Sequence, residues 1–143
     1  MNKRKAFELL SENLEKYFQE GFQFHGLFLE EFKTLLKNAS GNEKEIFSLL
    51  IKQFNFIKVL GKGVDQADGN EIIKYQEQDY YSIHLNGKNF NLRLLMTFDE
   101  DGNPVFLAAF YERAGKKSTD YTQWKNVLKQ RFQEVSMRKD DEK

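Results

Sequence analysis

Phe90-Asn91-Leu92-Arg93-Leu94-Leu95-Met96-Thr97-Phe98 decides the fold. Phe90, Leu92, Leu94, Met96 and Phe98 fall on one side of an extended chain, and Asn91, Arg93, Leu95 and Thr97 on the other. That alternation marks a strand with one face in a core. Just before it, Asn86-Gly87-Lys88-Asn89 reads as a hairpin turn, because Asn and Gly tolerate the positive φ that such turns use. Upstream of the turn, Ile72–Tyr75 and Tyr80–Leu85 are rich in Ile and Tyr and read as strands. Downstream, Asp99–Pro104 makes another turn and Val105–Arg113 the next strand. The centre of the chain is therefore predicted to be an antiparallel meander.

Outside the meander the period changes to that of a helix. Phe7, Leu10, Leu14, Tyr17 and Phe18 recur at steps of three and four, predicting a helix over Lys5–Glu20 that Gly21 caps. Leu29, Phe32, Leu35 and Leu36 predict a second from about Gly26 to Asn38. After the loop Asn38-Ala39-Ser40-Gly41-Asn42, the pair Asn42 and Glu45 has the spacing of a capping box. Ile46, Leu49, Leu50, Phe54 and Ile57 then share one face of a third helix, which Gly61 and Gly63 stop. The short loop predicts that helices two and three pack as an antiparallel hairpin. Val64–Asn70 is a polar connector. A closing helix starts near Thr119 or Asp120 and carries Tyr121, Trp124, Val127, Leu128, Phe132 and Val135. The expectation is one α+β domain over 1–135, with N-terminal helices on a small antiparallel meander, a C-terminal helix, and a flexible tail over 136–143.

The 143 residues, 40% hydrophobic and 15% aromatic, suffice for one core. No apolar run approaches the ~18 residues of a membrane span. Met1-Asn2-Lys3-Arg4-Lys5 leads into an amphipathic pattern and not a signal peptide, so a cytoplasmic location is expected. The absence of cysteine excludes disulfides, thiol nucleophiles and Cys-ligated zinc. Charge balances at 22 Lys+Arg against 22 Asp+Glu, which argues against a protein that simply coats nucleic acid. The distribution is uneven. Tyr111–Arg131 holds six basic residues and two acidic ones, whereas Val64–Asp79 holds five acidic and one basic.

The sequence lacks G-x-S-x-G, P-loop, G-x-G-x-x-G and H-E-x-x-H patterns. His25, at a helix start, suits local hydrogen bonding. His84, on a strand face shared with Tyr80 and Ser82, is the better proton-transfer candidate near pH 7. The aspartates at 65, 68, 99 and 101 lack the spacing of a calcium loop, and no metal or cofactor is expected. The strand Val105–Phe110 runs into Arg113, Lys116 and Lys117, followed by Tyr121, and Arg93 sits on the neighbouring strand. Metal-free RNA cleavage needs a group to take the 2′-hydroxyl proton, cations for the charged phosphorane and a proton for the leaving oxygen. These residues could supply all three. They could equally form a solvated Lys loop, with Arg93 paired to a carboxylate.

Taken in order, these elements resemble the RelE/ParE toxin superfamily, closest to its HigB-like, phage-associated branch. The resemblance runs from about Glu30 to Phe132. It rests on Val59-Leu60-Gly61, Ile72-Ile73-Lys74-Tyr75-Gln76, Phe90–Met96, and Phe106-Leu107-Ala108-Ala109-Phe110 running into Arg113 and Lys116-Lys117. It implies the toxin of a type II toxin–antitoxin pair: an mRNA endoribonuclease acting at the ribosome and held inactive by a cognate antitoxin. The family's strand arginine falls on Arg93, its basic residues after the last strand on Arg113, Lys116 and Lys117, and its catalytic aromatic on Tyr121. The chain departs from the family pattern in its neutrality, in Gln76 where an Arg is frequent, in Glu112 within the basic cluster, and in its first helix. Other functions stay open: a ParE-like inhibitor on the same scaffold, a non-enzymatic interaction module using the N-terminal helix, or a Phe- and Tyr-lined small-ligand pocket.

Overall fold

A computed structural model of the protein describes residues 3–39, 41–112 and 120–141. Among these residues the α-helices and strands run α1 (Lys3–Gln19), β1 (Gln23–Phe24), α2 (Gly26–Lys37), α3 (Glu43–Leu60), β2 (Glu71–Tyr75), β3 (Gln78–Asn86), β4 (Asn91–Phe98), β5 (Pro104–Tyr111) and α4 (Lys125–Asp141). The strands form one sheet in the order β1-β5-β4-β3-β2. From β2 to β5 it is the antiparallel meander expected from the sequence; β1 adds in parallel on β5, so the sheet is mixed. A two-residue strand is too short to carry a period, which is why β1 has no sequence signal. The fold is α+β, with α1, α2 and α3 on one face of the sheet and α4 on the other.

The three-helix face holds the larger core. Phe90, Leu92, Leu94, Met96 and Phe98 all turn into it, as their alternation predicts. Phe54 of α3 is fully buried, with the rings of Tyr17, Phe22, Phe24 and Phe106 centred 4.7, 5.2, 6.1 and 5.1 Å away. Gly21 ends α1 at φ +103°, with Gly21 N–H donating to Phe18 O and Phe22 N–H to Tyr17 O, the paired bonds of a glycine C-cap. Two expectations change here. Asn42 makes no side-chain cap; its φ of −111° and ψ of 4° lie outside the extended region a capping residue uses, and Glu43 accepts from Gly41 N–H instead. The close α2–α3 hairpin is opened out: α2 lies mainly on β5 and α3 on β3, and α1 packs against both.

The α4 face is thinner and more polar. Leu128 and Val135 of α4 cover Tyr80, Leu95, Val105, Leu107 and Ala108. Two sets of polar contacts hold α4 in place. Toward β2, Tyr75 Oη donates to Asn126 and Lys129 Nζ to Gln76. Toward α2, Arg131 meets Glu31 and Glu134 meets His25. A bulge places one extra residue, Leu107, in β5 opposite the Leu95–Met96 step. The Leu107 carbonyl accepts from Arg131 at 2.9 Å, and Ala109 N–H donates to Glu31 at 3.1 Å. The ion pair thus satisfies backbone groups on the stretch of β5 edge that β1 leaves uncovered.

The β3–β4 turn forms, but not by the expected means. No residue of Asn86–Asn89 has a positive φ. The strands close over a four-residue loop instead, and Phe90 folds beneath it. A Cβ on Gly87 would stand 2.3 Å from the Phe90 ring, so glycine is required here for close approach and not for backbone handedness.

Candidate functional site

The sheet places three of the expected residues on one face. His84 of β3 and Arg93 of β4 are directly opposite in the register. Ser82, two residues before His84, accepts a 2.6 Å hydrogen bond from Tyr121 Oη. This face is the one α4 covers: Ile83 and Leu85 turn into the opposite core, so the residues between them turn toward α4. Arg113, Lys116 and Lys117 lie outside the described residues. Glu112 is buried at the end of β5, with its N–H donating to Asn91 O at 2.8 Å.

Arg93 is only 3% exposed. Its Nη1 donates to the side-chain oxygens of Asn86 and Asn91, and its Nε has no hydrogen-bond partner among the described residues. The carboxylate partner that one sequence reading allowed is not among these contacts; amide oxygens take its place. Amide and carbonyl oxygens satisfy Nη1 without carrying a counter-charge of their own, so the guanidinium still favours an anion that reaches it.

His84 is held from behind by a polar network. Its backbone N–H donates to Asn70 Oδ1 at 2.8 Å. Asn70 Nδ2 in turn donates to Gln53 Oε1 at 2.9 Å and to the Val64 carbonyl at 3.1 Å. Gln53 also donates to Asp68, which pairs with Lys52 at 2.9 Å. Burial first, and then the Arg93 charge, lower the imidazole pKa below its ordinary value; Glu71 pulls it the other way. The net shift favours a neutral ring at pH 7, the form that accepts a proton.

Glu71 belongs to this site, and the sequence did not single it out. It pairs with Ser82 in the β2–β3 register, and its Oε2 is 3.7 Å from His84 Nε2. The register follows from the two-residue connection Gln76-Glu77, where Gln76 takes a φ of +57°. A non-glycine residue there hides the turn from a reading based on composition.

The remaining candidates have structural roles. His25 caps α2: its Nδ1 accepts from Leu27 N–H at 3.0 Å while Nε2 faces Glu134. Asp99 organises its own turn, accepting from the N–H groups of Asp101 and Asn103. Among the described residues no group of three or more His, Asp or Glu side chains is placed to hold a metal ion. No helix of the described residues is long and apolar enough to cross a membrane.

No family model, curated protein or solved structure matches this chain.

Proposed function

We propose that the protein is the toxin of a type II toxin–antitoxin pair and cleaves mRNA at the ribosome through its own side chains. One observation carries this reading: the His84 imidazole and the Arg93 guanidinium stand opposite each other on adjacent strands, on the sheet face that also receives Tyr121. In transesterification His84 takes the 2′-hydroxyl proton as the O2′–P bond forms. Arg93, with Arg113, Lys116 and Lys117, stabilises the phosphorane. The P–O5′ bond then breaks, leaving a 2′,3′-cyclic phosphate, and the 5′-oxygen takes a proton from Tyr121; Tyr121 regains one from solvent and His84 gives up the proton it took to solvent. The resemblance to RelE/ParE toxins supports a cognate antitoxin as the inhibitory partner.

The test is controlled expression in bacteria, with and without the neighbouring gene, following growth and mRNA ends. Arrest relieved by the neighbour, with new cleavage ends, is expected. Arg93→Ala and Lys116→Ala should abolish arrest. Because Arg93 is buried, its variant must also be compared with wild type by circular dichroism. Full toxicity in both folded variants would sink the assignment.

A second reading, a non-enzymatic interaction module, draws on a cleft of about 550 Å³ between α1, β1 and the end of α4. Leu10, Leu14, Phe22 and Phe24 line it, with Phe18 60% exposed at its side. Tight binding of the neighbouring gene product without arrest or RNA cleavage would favour this reading.

A further inference from the structure

Asn70 and Glu71 are consecutive, and both address His84. Asn70 fixes the His84 backbone; Glu71, at the start of β2, approaches the ring. Pairing of Glu71 with Ser82 makes it the diagonal neighbour of His84 on the same face, a geometry within reach of long side chains. His84 Nε2 is buried and has no hydrogen-bond partner among the described residues. The 3.7 Å separation from Glu71 Oε2 is too long for a hydrogen bond but short for an ion pair. The imidazole is 8% exposed and the Glu71 side chain 34%, so the carboxylate is the more open end of the pair.

We propose that Glu71 is a positioning residue for His84: its carboxylate closes onto Nε2 when the ring takes a proton, fixing the imidazolium and connecting it to solvent. The proposal rests on the reading of His84 as the proton-transfer group. Three other groups described near His84 do not fill this role. Arg93 faces it from β4 and, as a cation, opposes protonation. On the connector before β2, Asp68 is engaged with Lys52 and Gln53. From α3 the uncharged Gln53 reaches the His84 main-chain carbonyl. Glu71 is the carboxylate whose charge favours the protonated ring. A carboxylate beside a proton-accepting histidine orients the ring and stabilises the imidazolium that forms.

The test uses the full chain. The ring C–H signals of His84 are followed through a pH titration by NMR in wild type, Glu71→Gln and Glu71→Asp, with His84→Gln to assign them. Glu71→Gln should move the His84 midpoint to lower pH, and Glu71→Asp should restore part of the shift. With mRNA and purified ribosomes, the acidic limb of the cleavage–pH profile should move with the midpoint while the plateau falls about tenfold. An unchanged midpoint in Glu71→Gln would overturn the proposal. So would a moved midpoint with an unmoved limb in an active enzyme. A wild type that never cuts RNA, but whose His84 midpoint still follows Glu71, defeats the ribonuclease reading and leaves the positioning contact standing.

Discussion

Toward α1, α2 and α3 the sheet presents Tyr81, Ile83, Leu85, Leu92, Leu94, Met96, Phe98 and Phe106, all within one apolar core. Toward α4 the same strands present Ser82, His84, Arg93 and Thr97 among Tyr80, Leu95 and Val105. Both faces are buried, so the difference is not one of solvent. Burying a hydroxyl, an imidazole and a guanidinium carries a desolvation cost that apolar residues avoid. Part of it is offset: Thr97 Oγ1 donates to Asp79 O at 2.7 Å, and Ser82 accepts from Tyr121. His84 Nε2 and Arg93 Nε are left without hydrogen-bond partners among the described residues. One face is built for cohesion, while the other keeps donors and acceptors in reserve beside a cation. That asymmetry is where chemistry is to be sought.

The largest effect should come from breaking the cohesive face. Phe54→Ala removes the ring on which four other aromatic rings converge and should cost about 3–5 kcal/mol in urea unfolding. A cost below about 1 kcal/mol would mean that the helices hold the sheet by other contacts. A smaller effect is expected where the two faces are joined. Arg131 of α4 and Glu31 of α2 meet at 2.8 Å, with side chains 12% and 27% exposed. Arg131→Met should cost about 2–3 kcal/mol, below the range for a fully buried pair because Glu31 keeps some water. Hydrogen exchange should then rise in α4 while α1–α3 stay protected. The double variant Glu31→Met/Arg131→Met should regain part of the loss, since it removes the stranded carboxylate. If the double variant loses the sum of the single losses, the two side chains do not act as a pair.

The two faces also differ in how far they could be read from sequence. The cohesive face was legible because its signal is local: alternation over Phe90–Phe98, helical steps in α1 to α3, and Gly21 at the one conformation that needs glycine. On the other face the residue types were legible and their meeting was not. His84 and Arg93 face each other because the β3–β4 loop takes four residues; closure on Gly87-Lys88 alone would have set Arg93 opposite Ser82. Glu71 reaches the site through a turn built on Gln76, a residue with no turn signature. The Glu31–Arg131 pair joins residues 100 positions apart in the chain, and its place depends on a bulge at Leu107 that no pattern announces. Register is a property of pairs of strands, and a single strand's period says only which face a residue takes.

The smallest expected effect is also the most specific to the polar face. In the folded chain, burial and then Arg93 hold the His84 pKa below its ordinary value of 6.5, against the weaker opposing pull of Glu71. In the unfolded chain the ring titrates near that ordinary value. As pH falls below 6.5 the unfolded chain takes up the proton first, so protonation favours unfolding. The stability gained by keeping the ring neutral is therefore fully present above the unfolded value. It is lost as pH falls toward the lower, folded one. One such group can contribute at most about 1.4 kcal/mol per pH unit. Urea unfolding at about pH 7.5 and about pH 5.5 should show a steeper decline for wild type than for His84→Gln. Equal slopes would mean that the fold does not distinguish the neutral ring from the charged one. His84 would then be an ordinary buried polar residue, and the contrast between the two faces would rest on Arg93 alone.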